Sequence, residues 1–433
     1  MDKRTRTKKI EEVLTTQPIT TGVKLSFRNK MRDFNVYQIP LEYLIYNQHN
    51  GRFKSKFKTY EALYGRALDA EDPKDVEIIN EFLWKSNEAK NKETLDDIYE
   101  KGQQLHGIVT RDGQIVDGNR RFMILSKLHE KYPTRFEYFE AIILNEDIDI
   151  RELIRLETEV QLGTDEKEGY NAIEKYLRVD ELLNEHNYSA DAISKMMKLK
   201  TNEVEKYQQI YLLFKEYLEF IGHPNHYDLL DGVEDPILQL NSALQKLEKG
   251  SHAINSIRTV QPEELEELKL VVFDTIRLKP TNDHKIVREI IGRPNVKTPD
   301  GIFGRKGIWD DFFDSHMERV HNKIAPTEQA YKNDFSTNDV ETLVKDVEKS
   351  LQNVFSKNMR SNLDKAIKAV KIDNEDDKVL VIVETIRDSI RTLFNTYHDL
   401  LIAQYANNKV VQEALSESVN YLTLIQKEIM ELK

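Results

Sequence analysis

The chain has 433 residues, of which 39% are hydrophobic and 32% charged; a prior of about 150 residues per domain suggests several folded units with ordinary apolar cores. It contains no cysteine, which excludes disulfides and thiolate chemistry and fits a reducing, cytoplasmic compartment; no apolar run reaches the roughly 18 residues of a membrane span, and the basic start lacks the apolar stretch of a signal peptide. The formal net charge of −12 excludes nonspecific attraction to DNA as a property of the whole molecule, so any DNA contact must come from a local basic surface.

In chain order, residues 1–33 read as a basic, partly helical lead-in carrying Lys3, Arg4, Arg6, Lys8 and Lys9, either a solvated tail or a polyanion-binding arm. From residue 34 to 148 the signal is mixed α/β. Val36 to Ile39 form a short strand ended by Pro40, and Asp75–Trp84 and Glu93–Tyr99 have helical spacing. Gly107 to Thr110 is a β-branched run, and Arg111-Asp112-Gly113-Gln114 has the composition of a hairpin turn. Ile115-Val116 resumes the strand, Arg120–His129 is helical, and Phe139 to Leu144 is a buried-strand candidate.

From Ile150 onward the pattern is helical. Residues 149–222 form one helical domain and 223–325 a second, which carries a basic loop at 292–307. Residues 326–433 read as a C-terminal bundle of three helices, with Pro326 as a break before it. Val379, Leu380, Ile382, Val383, Ile386, Ile390, Leu393, Phe394, Leu400, Leu401 and Tyr405 form a long apolar stripe there. The fold class expected is therefore an α+β N-terminal domain followed by all-α domains.

The run Val116-Asp117-Gly118-Asn119-Arg120-Arg121 carries the clearest chemistry. A strand ends, a glycine permits a tight turn, and a helix begins. The first N–H groups of that helix lack internal partners and, with the helix dipole, make an anion site. Two arginines in the first turn add donors suited to phosphate. Being adjacent, they point about 100° apart, so one of the two is expected to face a ligand. Asp117 beside a phosphate must bind a metal, cap the helix or act as a base. The plainer alternative is an ordinary strand–turn–helix with Asp or Asn as the cap.

The order of motifs resembles the ParB/sulfiredoxin superfamily over about residues 34–215. Ile39-Pro40-Leu41 and Asn47-Gln48-His49-Asn50-Gly51-Arg52 stand where the family has its first segment. Leu105-His106-Gly107-Ile108-Val109 follows, with Gly107 in place of the usual proline. Gly118 to Arg121 stands for the family's G-E-R-R, with Asn119 in place of Glu. Ala141-Ile142-Ile143 comes next, and Glu157-Thr158-Glu159-Val160-Gln161 stands where the family has E-N-x-Q-R, either Glu157 or Glu159 matching its Glu and its Arg being absent. The resemblance implies a nucleoside triphosphate, CTP or ATP, held by Arg52, Gly107, Ile108, Gly118, Asn119, Arg120 and Arg121. The peroxide-repair chemistry of sulfiredoxins needs a cysteine and is excluded.

Tyr188 to Val204 has the form of a helix-turn-helix, which ParB-type proteins carry at this place. Ser189 caps the first helix, Ala192, Ile193 and Met196 face inward, Thr201 caps the second helix and Val204 anchors it. The start of the second helix offers Thr201, Asn202 and Lys206 to DNA, alongside two repelling glutamates, Glu203 and Glu205. Arg305 and Lys306, after Arg293, form a separate basic candidate for phosphate contact. His223 and His226 flank Pro224-Asn225 as a structural loop.

Three functional readings follow. One is a DNA-associated nucleotide switch or clamp, serving plasmid, phage or chromosome maintenance or defence and assembling as a homo-oligomer, or holding a protein partner, through its C-terminal helices. Another is a nucleotide-dependent enzyme, an NTPase, nuclease or phosphotransferase of phage defence. In it Asp117, Glu157 and Glu159 are catalytic, and Glu157 and Glu159 hold Mg²⁺. The third is an interaction scaffold without turnover.

Overall fold

The computed structural model describes residues 1–28, 30–47, 50–51, 53–162, 171–281, 285–293, 300–334, 339–373 and 375–431. The chain is mostly helical with a small mixed sheet near its N-terminus. It begins with helix α1 (Lys3–Leu14) and strands β1 (Thr20–Phe27) and β2 (Lys30–Pro40). Helices α2 (Lys54–Tyr64), α3 (Pro73–Lys85) and α4 (Glu88–Lys101) follow, then β3 (Gly107–Thr110), β4 (Ile115–Asp117), α5 (Asn119–Lys131) and β5 (Tyr138–Leu144).

The sheet order is β1-β2-β5-β3-β4, antiparallel except for the β5–β3 pair. Its strands alternate strictly between two cores, as the period of two requires. Ile39, Val109, Ile115, Phe139, Ala141 and Ile143 face one side, where they pack with Ile10, Ile79, Leu83 and Met123 from the helices. Val36, Ile108, Val116, Ile142 and Leu144 face the other, against Leu153 and Leu156. Both faces are thus covered, which is why Gly107–Thr110 and Phe139–Leu144 read as continuous apolar runs. The Asp112-Gly113 hairpin closes as its composition predicts, with Gly113 at φ +81° and the Thr110 N–H donating to the Gln114 carbonyl at 2.9 Å.

The basic lead-in is corrected. Residues 3–28 are built into the sheet's own layers rather than forming a tail or an arm. Ile10 and Val13 are buried in the first core. Arg6, 2% exposed, donates to the carbonyls of Asp112 and Met1 and pairs with Glu71. Strand β1 carries the alternation of a strand with one covered face: Val23, Leu25 and Phe27 pack on the second core while Lys24 and Ser26 are exposed.

The helical part runs through α6 (Ile150–Leu162), α7 (Ala172–Asp180), α8 (Ala190–Met197) and α9 (Thr201–Phe220). It continues with α10 (Glu234–Glu248), α11 (Pro262–Leu278), α12 (Ile286–Ile291), α13 (Lys306–His316), α14 (Asn322–Asp334) and α15 (Val340–Asp373). One apolar core joins residues from Ile173 to Val370, so α14 and α15 pack with the helices before them instead of opening a separate C-terminal unit. Pro326 lies inside α14 and does not break it. The π-helical turn Met317–His321 just ahead of it already interrupts regular i to i−4 bonding, which lessens the cost of a missing N–H.

Helices α16 (Glu375–Thr396), α17 (His398–Tyr405) and α18 (Lys409–Glu431) end the chain. They do not bury one another's stripes: Ile390, Phe394, Tyr397, Val410 and Tyr421 all stay exposed. A single residue separates α15 from α16 and α16 from α17, too few for the hairpin loop of a helical bundle.

Candidate nucleotide site

Strand β4 passes into α5 through Gly118, at φ +104°. A Cβ there would come within 2.8 Å of the Phe139 ring and 3.2 Å of the Arg121 guanidinium, so the turn requires glycine both for its conformation and for space. No side chain caps α5 at Gly118. Residues of its first turn line a cavity of about 860 Å³, within the range of small-molecule sites.

Asp117, Gly118, Asn119, Arg120, Arg121, Ile108 and Glu159 all line this cavity. Both arginines are among the residues that line it. Arg121 is held in place: Nη2 pairs with Asp117 Oδ2 at 2.8 Å and Nη1 donates to the Leu105 carbonyl at 2.9 Å. Asp117 therefore orients an arginine, a role compatible with a phosphate neighbour. Asn119 is buried; its amide donates to the Ile115 carbonyl at 3.2 Å, and its Oδ1 accepts from the Asn47 N–H at 3.4 Å. It ties the loop after β2 to the β4–α5 turn.

Gly107 is not among the lining residues. A Cβ on it would meet Phe139 Cζ at 2.4 Å and the Asp117 carbonyl at 2.8 Å. Glycine stands there so that β3 can pass close to its neighbours. Arg52 lies outside the described residues.

The paired-carboxylate expectation is corrected. Glu157 and Glu159 stand two residues apart on α6, which sets their side chains about 160° apart. Glu157 is fully buried; it accepts the Gly51 N–H at 2.8 Å and pairs with Arg178 at 2.9 Å. It anchors the loop beside the cavity without lining it. Glu159 does line the cavity and pairs with Arg155; burial lifts its carboxyl above the usual range against the pull of that arginine. The two carboxylates cannot share one Mg²⁺ from opposite sides of a helix.

Residues 190–220 form two helices, α8 and α9, joined by a short turn, with one cap differing from the expectation. The Ser189 hydroxyl accepts the Ala192 N–H at 3.2 Å. Ile193, Met196, Met197 and Val204 form its core with Ile154, Val179 and Leu182. The cap of α9 is Lys200, not Thr201: the Lys200 N–H donates to the Glu203 carboxylate at 2.8 Å. This turns one of the two glutamates back onto its own helix. Thr201, Asn202 and Lys206 are exposed on the first turns of α9. Arg305 is half-buried and Lys306 exposed, and both are paired with acids. Arg305 pairs with Asp373 at 3.0 Å, and Lys306 with Glu264 at 3.3 Å and Asp310 at 3.1 Å.

Compared with protein families and with curated proteins, the chain matches neither a family model nor a curated sequence.

The cavity also gathers residues that sequence reasoning passed over. Lys24 of β1, Lys90 of α4, and Lys195 and Lys198 at the end of α8 join Arg120 and Arg121 around it. Six cationic residues and two carboxylates, Asp117 and Glu159, thus line the cavity, with Lys195 also paired with Asp191 at 2.7 Å. Lys198 closes α8 in a left-handed conformation at φ +52°, a strained position for a lysine and the one local hint that this turn is special.

Proposed function

We propose that the chain binds a nucleoside triphosphate, CTP or ATP, in the cavity at the start of α5 and uses it to control a DNA-associated helix-turn-helix. The observation that carries this reading is that Lys195 and Lys198, at the turn of the helix-turn-helix, line the same cavity as Arg120 and Arg121. A triphosphate seated against the uncapped N–H groups of α5 carries enough negative charge to engage cations from both sides. Its binding energy then differs between a state in which the α8–α9 turn approaches α5 and one in which it does not, and that difference drives a switch. Mg²⁺ would travel with the phosphates, with Asp117 and Glu159 the carboxylates at hand.

DNA would meet the exposed start of α9 through Thr201, Asn202 and Lys206. The motif order that resembles ParB-type proteins supports the same reading from the sequence side. Arg305 and Lys306 belong to a different element, the start of α13, and are left out of the proposed surface.

Linkage tests the switch. DNA affinity, measured by fluorescence anisotropy with and without saturating CTP or ATP, is expected to change by at least about 5-fold, the scale of a typical coupling energy. Lys195→Ala combined with Lys198→Ala should abolish that change. DNA affinity indifferent to every nucleotide would refute the coupling.

A further inference from the structure

Far from this cavity, α11, α13 and the π-helical turn bring three side chains to one point in the helical body. Asp274 Oδ2 lies 2.9 Å from His316 Nε2 and 2.8 Å from His321 Nδ1. Asp274 and His316 are buried, while His321 is 28% exposed on its side chain. The juxtaposition is built by an unusual turn. Two residues five apart on an α-helix point about 140° from each other and could not reach one carboxylate together. The turn Met317–His321 is π-helical, and a turn closed from i to i+5 stacks His321 over His316. Such turns are rare and favour functional sites.

We propose that Asp274, His316 and His321 bind a divalent transition-metal ion of the zinc class. Two imidazoles and one carboxylate, with an opening toward solvent at His321, are the donor set and geometry that such ions take. A second observation points the same way. Asp274 Oδ1 is buried with no hydrogen-bond partner, and no lysine or arginine pairs with this carboxylate among the described residues. A buried carboxylate with an idle oxygen and only imidazole neighbours is short of positive charge, and a cation supplies it. The rings are already oriented: Phe220 stacks on His321 at 5.9 Å and Phe312 on His316 at 6.0 Å between centroids.

The other cluster of similar composition, Glu181, Glu185 and His186, lacks that need. Arg178 pairs with Glu181 at 2.8 Å, and Lys54 pairs with both of its glutamates. Two fixed cations occupy the place of a metal.

Coordination through Nε2 leaves the His316 proton on Nδ1, which is buried without an acceptor. The site therefore lacks the outer hydrogen bond that usually supports a histidine ligand, and its affinity should fall about 10–100-fold below that of a fully supported site. Its role is to pin α11 to the α13–α14 junction, since it sits in their shared core.

The test uses the full chain stripped with EDTA and then dialysed. Titration with Zn²⁺ by calorimetry, and with Co²⁺ by visible absorption, is expected to show about one ion per chain. The cobalt spectrum should carry the bands of a nitrogen- and oxygen-ligated ion, and Zn²⁺ should raise the melting temperature. His321→Ala, on the solvent side, should fold, bind at least about tenfold more weakly and lose the thermal shift. Asp274→Asn, which keeps the shape of the side chain, should do the same. Absence of stoichiometric binding to the unmodified chain would overturn the proposal and leave a hydrogen-bonded triad. Equal binding and an equal cobalt spectrum in His321→Ala would also overturn it, by moving the ion elsewhere.

Discussion

At Gly118 the positive φ and the nearness of the Phe139 ring act together, so Gly118→Ala should lower stability by about 1–3 kcal/mol in chemical denaturation; an unchanged midpoint would mean that the β4–α5 turn relaxes freely. Arg121→Ala removes a phosphate donor and also leaves Asp117 without the pair that neutralises it. It should cost nucleotide binding about 1.5–3 kcal/mol, and Asp117→Asn in the same background should recover part of that loss. Glu174 makes a separate, pH-dependent contribution. Burial raises its carboxyl to about 7, opposed by hydrogen bonds from the Ser55 N–H and hydroxyl. The folded-state value lies above the unfolded one, so its contribution is fully present below about pH 4 and is lost as pH rises through about 7. Glu174→Gln keeps the shape without the charge. Relative to the parent, it should gain stability between about pH 4 and pH 7 and level off above that in urea melts, and a pH-independent difference would contradict the assignment.

Among the elements, the helix-turn-helix yields the next expectation. If α9 faces DNA, Lys206→Ala should reduce the slope of log K against log salt by about 0.9, one phosphate contact. Lys306→Ala should leave it unchanged, because Glu264 and Asp310 already hold that charge. The reverse result would move the interface to the start of α13. How much of this was legible follows from what each element buries. Strands β3 and β5 are covered on both faces, so their β-branched and apolar runs showed in the sequence. Ser189 announced α8 because a hydroxyl cap acts within three residues. In strand β1 Val23, Leu25 and Phe27 alternate with Lys24 and Ser26, a strand signal that the reading of residues 1–33 as a lead-in passed over. Glu157 and Glu159 do not pair at one ion, although Glu159 lines the cavity, because a motif read as a string ignores the turn of the helix that carries it. Lys24, Lys90, Lys195 and Lys198 meet only through the fold, and nothing in their local sequence marks them as neighbours. The Asp274–His316–His321 cluster was hidden for the same reason, and its five-residue spacing makes sense only once the π turn is known.

Among the described residues, most apolar surface is buried in the cores on the two sides of the sheet and in the helical body, while Ile390, Phe394, Tyr397, Val410 and Tyr421 near the C-terminus are exposed. Val383, Ile386, Ile390, Leu393 and Tyr397 repeat at alternating steps of three and four residues, the spacing of a coiled-coil seam. Of these, Val383, Ile390, Leu393 and Tyr397 are exposed large side chains. A stripe of this length outside the body suits pairing with a second copy, so the full chain should be a dimer or larger in light scattering. Truncation after Asp373 should reduce its mass class and leave nucleotide binding intact; a monomeric full-length chain at tens of micromolar would contradict this. No helix among the described residues is long and apolar enough to cross a membrane. The central claim, that the cavity at the start of α5 holds a nucleotide, is tested most directly by calorimetric titration of the full chain and of Arg120→Ala with CTP, ATP, GTP and ADP in the presence of Mg²⁺. The account predicts saturable binding of at least one triphosphate to the parent chain, weakened about 10-fold or more by Arg120→Ala, the scale of one charged hydrogen bond. Binding of none of the four, or equal binding by the variant, would contradict it.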